Sequence, residues 1–178
     1  MRASGKRRAK SGEWKVEHSS SVSNHMLVST ALGTFTLTGS RKGVSGVTLA
    51  EGTESARSSV PSAHASRCAA QLREYLDGRR RKFTLPLDLR GTPFQRTVWR
   101  VLAKVPYGAT MTYGQLARRI GRPRAVRAVA SAVSRNPVAI LIPCHRIIPQ
   151  SGGPGEYAWG KGRKAWLLEH EDALRDHH

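Results

Sequence analysis

Four consecutive residues, Pro143-Cys144-His145-Arg146, put a nucleophile, a base and a cation side by side. A thiol attacks well only as thiolate, and a nearby imidazole can take its proton. Val138 to Ile142 before the motif and Ile147-Ile148 after it are apolar. Proline donates nothing to a sheet ladder, so regular pairing stops at Pro143. The pattern predicts a buried strand that breaks at Pro143 and presents Cys144 where the chain turns. Neighbours on an extended strand face opposite ways. Cys144 and His145 therefore cooperate only if the backbone turns between them or a water bridges them. The competing meaning of an isolated Cys-His pair is a small buried residue beside a capping histidine.

The elements that must hold this motif are legible on both sides of it. Thr92-Pro93 is an N-cap followed by proline at the first helical position. Phe94, Val98, Val101, Leu102 and Val105 then recur at helical spacing and stop at Pro106. Thr112 precedes Gln115 by three, a capping box, and opens a short helix with Leu116, Ala117 and Ile120 inside and Gly121 at its end. Arg122-Pro123 leads into a second helix predicted over Arg124 to Arg135, which Asn136-Pro137 ends. Two short helices on a glycine-containing turn are a helix-turn-helix pattern. The second helix is rich in small residues, Ala125, Ala128, Ala130, Ser131 and Ala132, with Arg124 and Arg127 among them. Small side chains let a helix backbone approach a narrow groove, or a neighbouring helix, very closely. Arg127 is placed to enter a base stack as a wedge. Beyond a Gly/Pro-rich loop, Tyr157, Ala158, Trp159 and Gly160 are candidates for a pocket wall. A last helix is predicted from Gly162 to Arg175, with Leu167, Glu171 and Leu174 on one face. A glutamate in an apolar stripe is costly unless paired, and His145 is the candidate partner.

The first half reads differently. Residues 1 to 24 lack an apolar period and form a basic leader, expected to be disordered. Phe35 and Leu37 alternate with threonines as in a half-buried strand, and Val44, Val47 and Leu49 suggest another. Glu51 to Ser59 is a polar loop. A helix from Pro61 to Asp77 carries Ala65, Cys68, Ala69, Leu72 and Leu76 on its apolar face, so Cys68 is a core residue. Leu85 and Leu87 suggest a final short strand. The expected division is a leader to residue 24, a small antiparallel sheet with one helix over 25–89, and a helical unit over 90–175.

Charge narrows the partner. The chain has 178 residues and a formal net charge of +18. From Leu89 to Gly155 there is no Asp or Glu, while Arg90, Arg96, Arg100, Lys104, Arg118, Arg119, Arg122, Arg124, Arg127, Arg135 and Arg146 all lie there. An acid-free span of that length points to a polyanion, most simply nucleic acid. No apolar run approaches the roughly 18 residues of a membrane span. Two distant cysteines, Cys68 and Cys144, suggest free thiols in a reducing cytoplasm and argue against a structural zinc site.

With these residues assembled, the chain resembles the O6-alkylguanine-DNA alkyltransferases, through Pro143-Cys144-His145-Arg146, the apolar run before it and Asn136-Pro137. Tyr113, Arg127 and Tyr157 follow that family's order. The resemblance implies an α/β (α+β) fold: a ribonuclease H-like N-terminal sheet with a helix, then a winged-helix or helix-turn-helix-like DNA-binding and catalytic domain. It implies irreversible, single-use transfer of the alkyl group from O6-alkylguanine in DNA, with O4-methylthymine as a second substrate, to Cys144. His145 would be the base through a water, oriented by Glu171; Asn136 would hold the local turn; Tyr113 would protonate the departing purine and steer the target phosphate. Arg127 would fill the hole left by the flipped base, with Arg124, Ala128 and Ser131 on the DNA. Tyr157, Ala158, Trp159 and Pro143 would line the pocket, and Arg146 would be structural. The implied partner is double-stranded DNA, bound by a monomer that loads cooperatively. No metal or cofactor is implied. In a bacterium the site of action would be the nucleoid. Glu156 stands where glycine is frequent, and is expected to point away from DNA. Trp159 stands where some members have a small residue, and is expected to narrow the pocket against benzyl adducts.

Overall fold

The computed structural model describes residues 16–17, 25–50 and 62–172. An antiparallel sheet has the order β1 (Val16–Glu17), β2 (His25–Thr30), β3 (Gly33–Gly39), β4 (Val44–Leu49). Strand β1 pairs with β2, inside the stretch expected to be an unstructured leader. The rest of that leader, and the loop expected over 51–59, lie outside the described residues.

In β3, Phe35, Leu37 and Gly39 are buried and the threonines between them are not, the period of two that the sequence predicts. Helix α1 (Ala63–Leu76) packs on the sheet through Ala65, Cys68, Ala69, Leu72 and Tyr75. Ser62 Oγ accepts from the Ala65 amide as its N-cap. The buried residue at the end of α1 is Tyr75, with Leu76 only partly covered. Leu87 forms a single bridge to Val44 in place of the expected strand.

Helix α2 (Pro93–Leu102) opens with the predicted capping box, Thr92 with Gln95. A two-residue strand β5 (Met111–Thr112) leads into α3 (Tyr113–Arg119), itself capped by Thr112 and Gln115. Helix α4 runs Val126–Ser134, two residues shorter at its start than predicted. Arg124 therefore lies in the connecting turn, because the chain leaving Pro123 reaches helical geometry only after Ala125. A short 3-10 turn, Cys144–Arg146, precedes β6 (Ile147–Ile148), which pairs in parallel with β5. The last helix, α5, is Lys161–His170; it stops short of Arg175, and Leu174 lies outside the described residues.

One buried cluster runs from Met26 and Phe35 in the sheet through Leu72 and Tyr75 to Ile142, Cys144 and Leu167. The two halves thus share a core. Among the described residues no helix is long and apolar enough to cross a membrane.

Candidate active site

The segment that delivers Cys144 is not a strand. Val138 bridges Val47 of β4, and Ala139 bridges Ile142, so the chain folds back within four residues. Ile140, at the bend, has φ 71° while fully buried. A β-branched residue in the left-handed region is strained and persists only where its surroundings hold it. Asn136 supplies much of that hold: its Nδ2 donates to the Ile142 carbonyl at 2.7 Å, and its Oδ1 accepts from the Val138 amide at 3.1 Å. An apolar run reads as strand by composition alone; here the Asn136 amide turns it into a tight bend. The 3-10 turn then rotates Cys144 and His145 apart from strand geometry, which meets the requirement that the backbone turn between them.

Behind the thiol lies a saturated carboxylate. Glu171 caps the C-terminus of α5 and is 2% exposed. Its Oε1 accepts from Tyr75 Oη at 2.6 Å, Arg146 Nη2 at 2.8 Å and His145 Nε2 at 3.1 Å. Its Oε2 accepts from Arg146 Nε at 2.8 Å and the Gly108 amide at 3.4 Å. Arg146 Nη1 donates onward to the Val105 carbonyl at 2.6 Å. Gly108 has φ 75°, and a Cβ there would stand 3.0 Å from the Glu171 carbonyl oxygen, so glycine lets that amide approach. Burial alone would raise the Glu171 carboxyl; the hydrogen bonds from His145 and Arg146 and the charge of Arg146 outweigh it and hold it far below the usual range. Glu171 is therefore an anion, and every partner must donate to it.

That fixes His145. Its Nε2 carries the proton, and Nδ1 presents a lone pair. Nδ1 is buried and has no hydrogen-bond partner in the protein. Burial lowers the imidazole pKa below its usual value despite the pull of Glu171, so the ring is neutral at pH 7. Cys144 is a thiol at rest: burial pushes it up, opposed by Asn136, Tyr157 and the charge of Lys164. Its Sγ donates to Tyr157 Oη at 3.7 Å.

The thiol faces a cavity of about 550 Å³ whose wall includes Tyr113, Ser131, Asn136, Tyr157, Ala158 and Trp159. Val47 and Thr48 of β4 also line it, so the N-terminal sheet forms part of the wall. Trp159 packs its ring 5.2 Å from Phe35 and 5.7 Å from Tyr157. Burial pushes the Tyr113 phenol up, which keeps it protonated, and a thiolate at Cys144 would push it further. The Glu156 carboxylate is exposed and pairs with Lys161 at 2.7 Å. Pro143 is absent from this wall. It lines a separate cavity of about 470 Å³ with Tyr107 and Arg146, because the bend that aims Cys144 forward turns the preceding ring away. Arg124, Arg127 and Ala128 are exposed, on or just before α4, whose opposite side buries Val129, Ala132 and Val133.

Three contributors carried no sequence signal: Tyr75, Gly108 and Lys164. Lys164 is 1% exposed, lines the cavity, and donates from Nζ to the Ile147 carbonyl at 2.5 Å and the Glu156 carbonyl at 3.4 Å. Burial lowers its pKa to about 8. Among the described residues no group of three or more His, Cys, Asp or Glu is placed to hold a metal ion.

A neutral imidazole and a buried thiol thus stand together, and the thiol opens on a cavity bounded by α4, the second helix of a helix-turn-helix. Residues 25–89 match the family model described as "6-O-methylguanine DNA methyltransferase, ribonuclease-like domain", and residues 93–173 match "6-O-methylguanine DNA methyltransferase, DNA binding domain". The chain belongs to the 6-O-methylguanine DNA methyltransferase family. It is 50% identical over 105 residues to a methylated-DNA–protein-cysteine methyltransferase of Shigella flexneri, covering 58% of this chain and 61% of that protein. It is 50% identical over 101 residues to one of Mycobacterium tuberculosis, again over 61% of the relative. The chain thus spans about three fifths of the length of these curated relatives. The crystal structure of Mycobacterium tuberculosis OGT in complex with DNA superposes with TM-score 0.75 at 39% identity, over 83% of this chain and 91% of that one.

Proposed function

We propose that the protein repairs DNA by moving an alkyl group from O6 of a guanine in duplex DNA to Cys144, once and irreversibly, with O4-methylthymine as a second substrate. The observation that carries this reading is the His145 tautomer. Its Nε2–H is committed to an ionised Glu171, and its Nδ1 lone pair is buried without a protein partner. Through one water, Nδ1 takes the proton of Cys144. The resulting thiolate attacks the alkyl carbon, a C–S bond forms, and the C–O6 bond breaks with its electron pair returning to the purine. Tyr113 Oη, on the cavity wall, gives a proton to that departing anion and is reprotonated from solvent. The charge of Lys164 favours the thiolate during this step. The thioether product is a poor leaving group towards water, so one turnover consumes the protein.

In-line attack needs sulfur, carbon and oxygen aligned, with carbon held about 3 to 3.5 Å from sulfur. A base inside a duplex cannot meet that geometry and must swing out, at a cost of a few kcal/mol. The exposed Arg127 and Ala128 on α4 suit insertion into the groove, with Arg127 occupying the vacated place and Arg124 reaching phosphate. Ser131, Tyr157, Ala158 and Trp159 receive the flipped base. One chain supplies every group named, so the working unit is a monomer. Both described cysteines are free, which suits a reducing cytoplasm. The capping box at Thr92 supports a functional division near residue 90, into units 25–89 and 90–175.

The test is a mass measurement. The protein is incubated with duplex DNA bearing labelled O6-methylguanine, digested, and the Cys144 peptide weighed. The expected result is one added methyl group per chain and no turnover beyond stoichiometry. Retained DNA binding with an unchanged Cys144 would mean a recognition module, and repeated product release would mean a hydrolase.

A further inference from the structure

Tyr75 stands outside every motif, on α1 of the N-terminal half, yet its hydroxyl makes the shortest hydrogen bond to the Glu171 carboxylate, 2.6 Å to Oε1. The side chain is fully buried. Its ring packs against Phe83 at 5.4 Å, Tyr107 at 6.1 Å and His170 at 5.4 Å. Its own carbonyl lies 2.8 Å from His170 Nε2. The ring has no freedom to aim its hydroxyl elsewhere. Burial, then the charge of Glu171, push the phenol well above its usual range, so it is always a donor here.

Oε1 consequently serves three donors: Tyr75, Arg146 and His145. The His145 contact, at 3.1 Å, is the longest of them. Each added donor draws charge from the oxygen and weakens what it offers the imidazole. We infer that Tyr75 is a positioning residue for alkyl transfer: its hydroxyl pins Oε1 of Glu171 and spends part of that oxygen's charge, keeping His145 oriented yet only moderately basic. The N-terminal half thereby tunes the base used by the C-terminal half. The inference rests on reading His145 as the proton acceptor.

The groups that set the titration of His145 are few. Glu171 raises it; burial and the charges of Arg146 and Lys164 lower it. Around Glu171 stand Tyr75 from α1, Tyr107 and the Gly108 amide from the turn after α2, and Arg146 from the 3-10 turn. Asp172 and Arg81 face Tyr107. Removing the Tyr75 hydroxyl leaves all of these in place and concentrates charge on Oε1.

Full-length wild type and Tyr75→Phe are compared in two ways: single-turnover methyl transfer from pH 5 to 9, and NMR titration of the His145 ring. The acid limb of transfer and the His145 pKa should both rise by about one unit in Tyr75→Phe. Well below the wild-type His145 pKa, transfer should then fall by up to roughly tenfold, with a much smaller loss at pH 8.5. Tyr107→Phe is the control, since its hydroxyl lies 3.1 Å from the His170 carbonyl and makes no bond to Glu171; both readouts should stay at wild-type values. Incorporating 3-fluorotyrosine at position 75, a stronger donor of the same shape, should move both readouts the opposite way, and it serves if Tyr75→Phe does not fold. Superimposable profiles in wild type and the position-75 variants would overturn the inference, as would an equal shift in Tyr107→Phe. The NMR titration needs no alkylated DNA, so a failure of the transfer reading leaves it separately readable.

Discussion

Cys68 and Cys144 are both buried thiols, and what separates them is the company each keeps. Cys68 lies on the inner face of α1 among Ala65, Ala69 and Leu72, and burial alone pushes its pKa to about 12. Cys144 is raised by burial too, but Asn136, Tyr157 and Lys164 pull against the rise. Beyond its sulfur lie an open cavity and a neutral imidazole backed by an anion. Burial alone makes a thiol inert; donors, an imidazole and an opening beside it are what the proposed nucleophile requires. The mechanism proposed above has no need of a thiolate at rest. In the proposed mechanism the proton leaves through a water to Nδ1 of His145 once the target carbon is in place.

The largest effect expected is at the two sulfurs themselves. Cys144→Ser should abolish transfer to below about 1% of wild type, since an alcohol is a far weaker nucleophile. Cys68→Ala should keep the single-turnover rate within roughly twofold and cost about 1–2 kcal/mol of stability for the small cavity it leaves. Gel-resolved transfer of labelled methyl and urea denaturation read the two effects. Surviving repair in Cys144→Ser would break the comparison outright.

The next effect concerns the anion behind the base. Glu171→Ala strands the buried Arg146 and leaves His145 without its orienting partner, so stability should fall by about 3–5 kcal/mol. The pH dependence follows in sign. Unfolded His145 takes a proton near pH 6.5, whereas the folded ring resists it, so stability should fall as pH drops through that range. Glu171 adds a second loss with the same sign below about pH 4.3, because its folded carboxyl stays ionised and its unfolded one does not. Urea midpoints at pH 7.5, 6 and 4 measure both. A His145→Gln variant should lose the first slope and keep the second, and an unchanged first slope would remove His145 from the account.

The smallest effect sharpens what the open side of Cys144 admits. Trp159, wedged against Phe35 and Tyr157, narrows the cavity. Trp159→Gly should raise the benzyl-to-methyl rate ratio by roughly five- to tenfold, the size expected of a pocket contact. An unchanged ratio would assign Trp159 to packing with Phe35 alone.

Much of this was legible before the structure, and the misses are instructive. The capping boxes at Thr92 and Thr112 and the alternation through Phe35 and Leu37 follow from local spacing, and the Glu171–His145 pair from the cost of a carboxylate in an apolar stripe. The run from Val138 to Ile142 does not, because an apolar segment carries no sign of the left-handed turn at Ile140 that Asn136 stabilises. Pro143 went to the wrong side of the site for the same reason: one reversed residue changes every direction after it. Arg124 fell outside α4 because helix starts after proline are set by backbone geometry more than by composition. Tyr75 left no trace, since its partner lies 96 residues further along the chain.

The sequence by itself determined the candidate thiol, the imidazole next to it, the basic helix pair and the acid-free span, because these rest on residue type and short spacing. Only the tertiary structure decided which ring nitrogen is free, that a strand of the first half walls the cavity, and that Tyr75 reaches Glu171. Those depend on distant segments meeting in one core, where low polarity makes each hydrogen bond count.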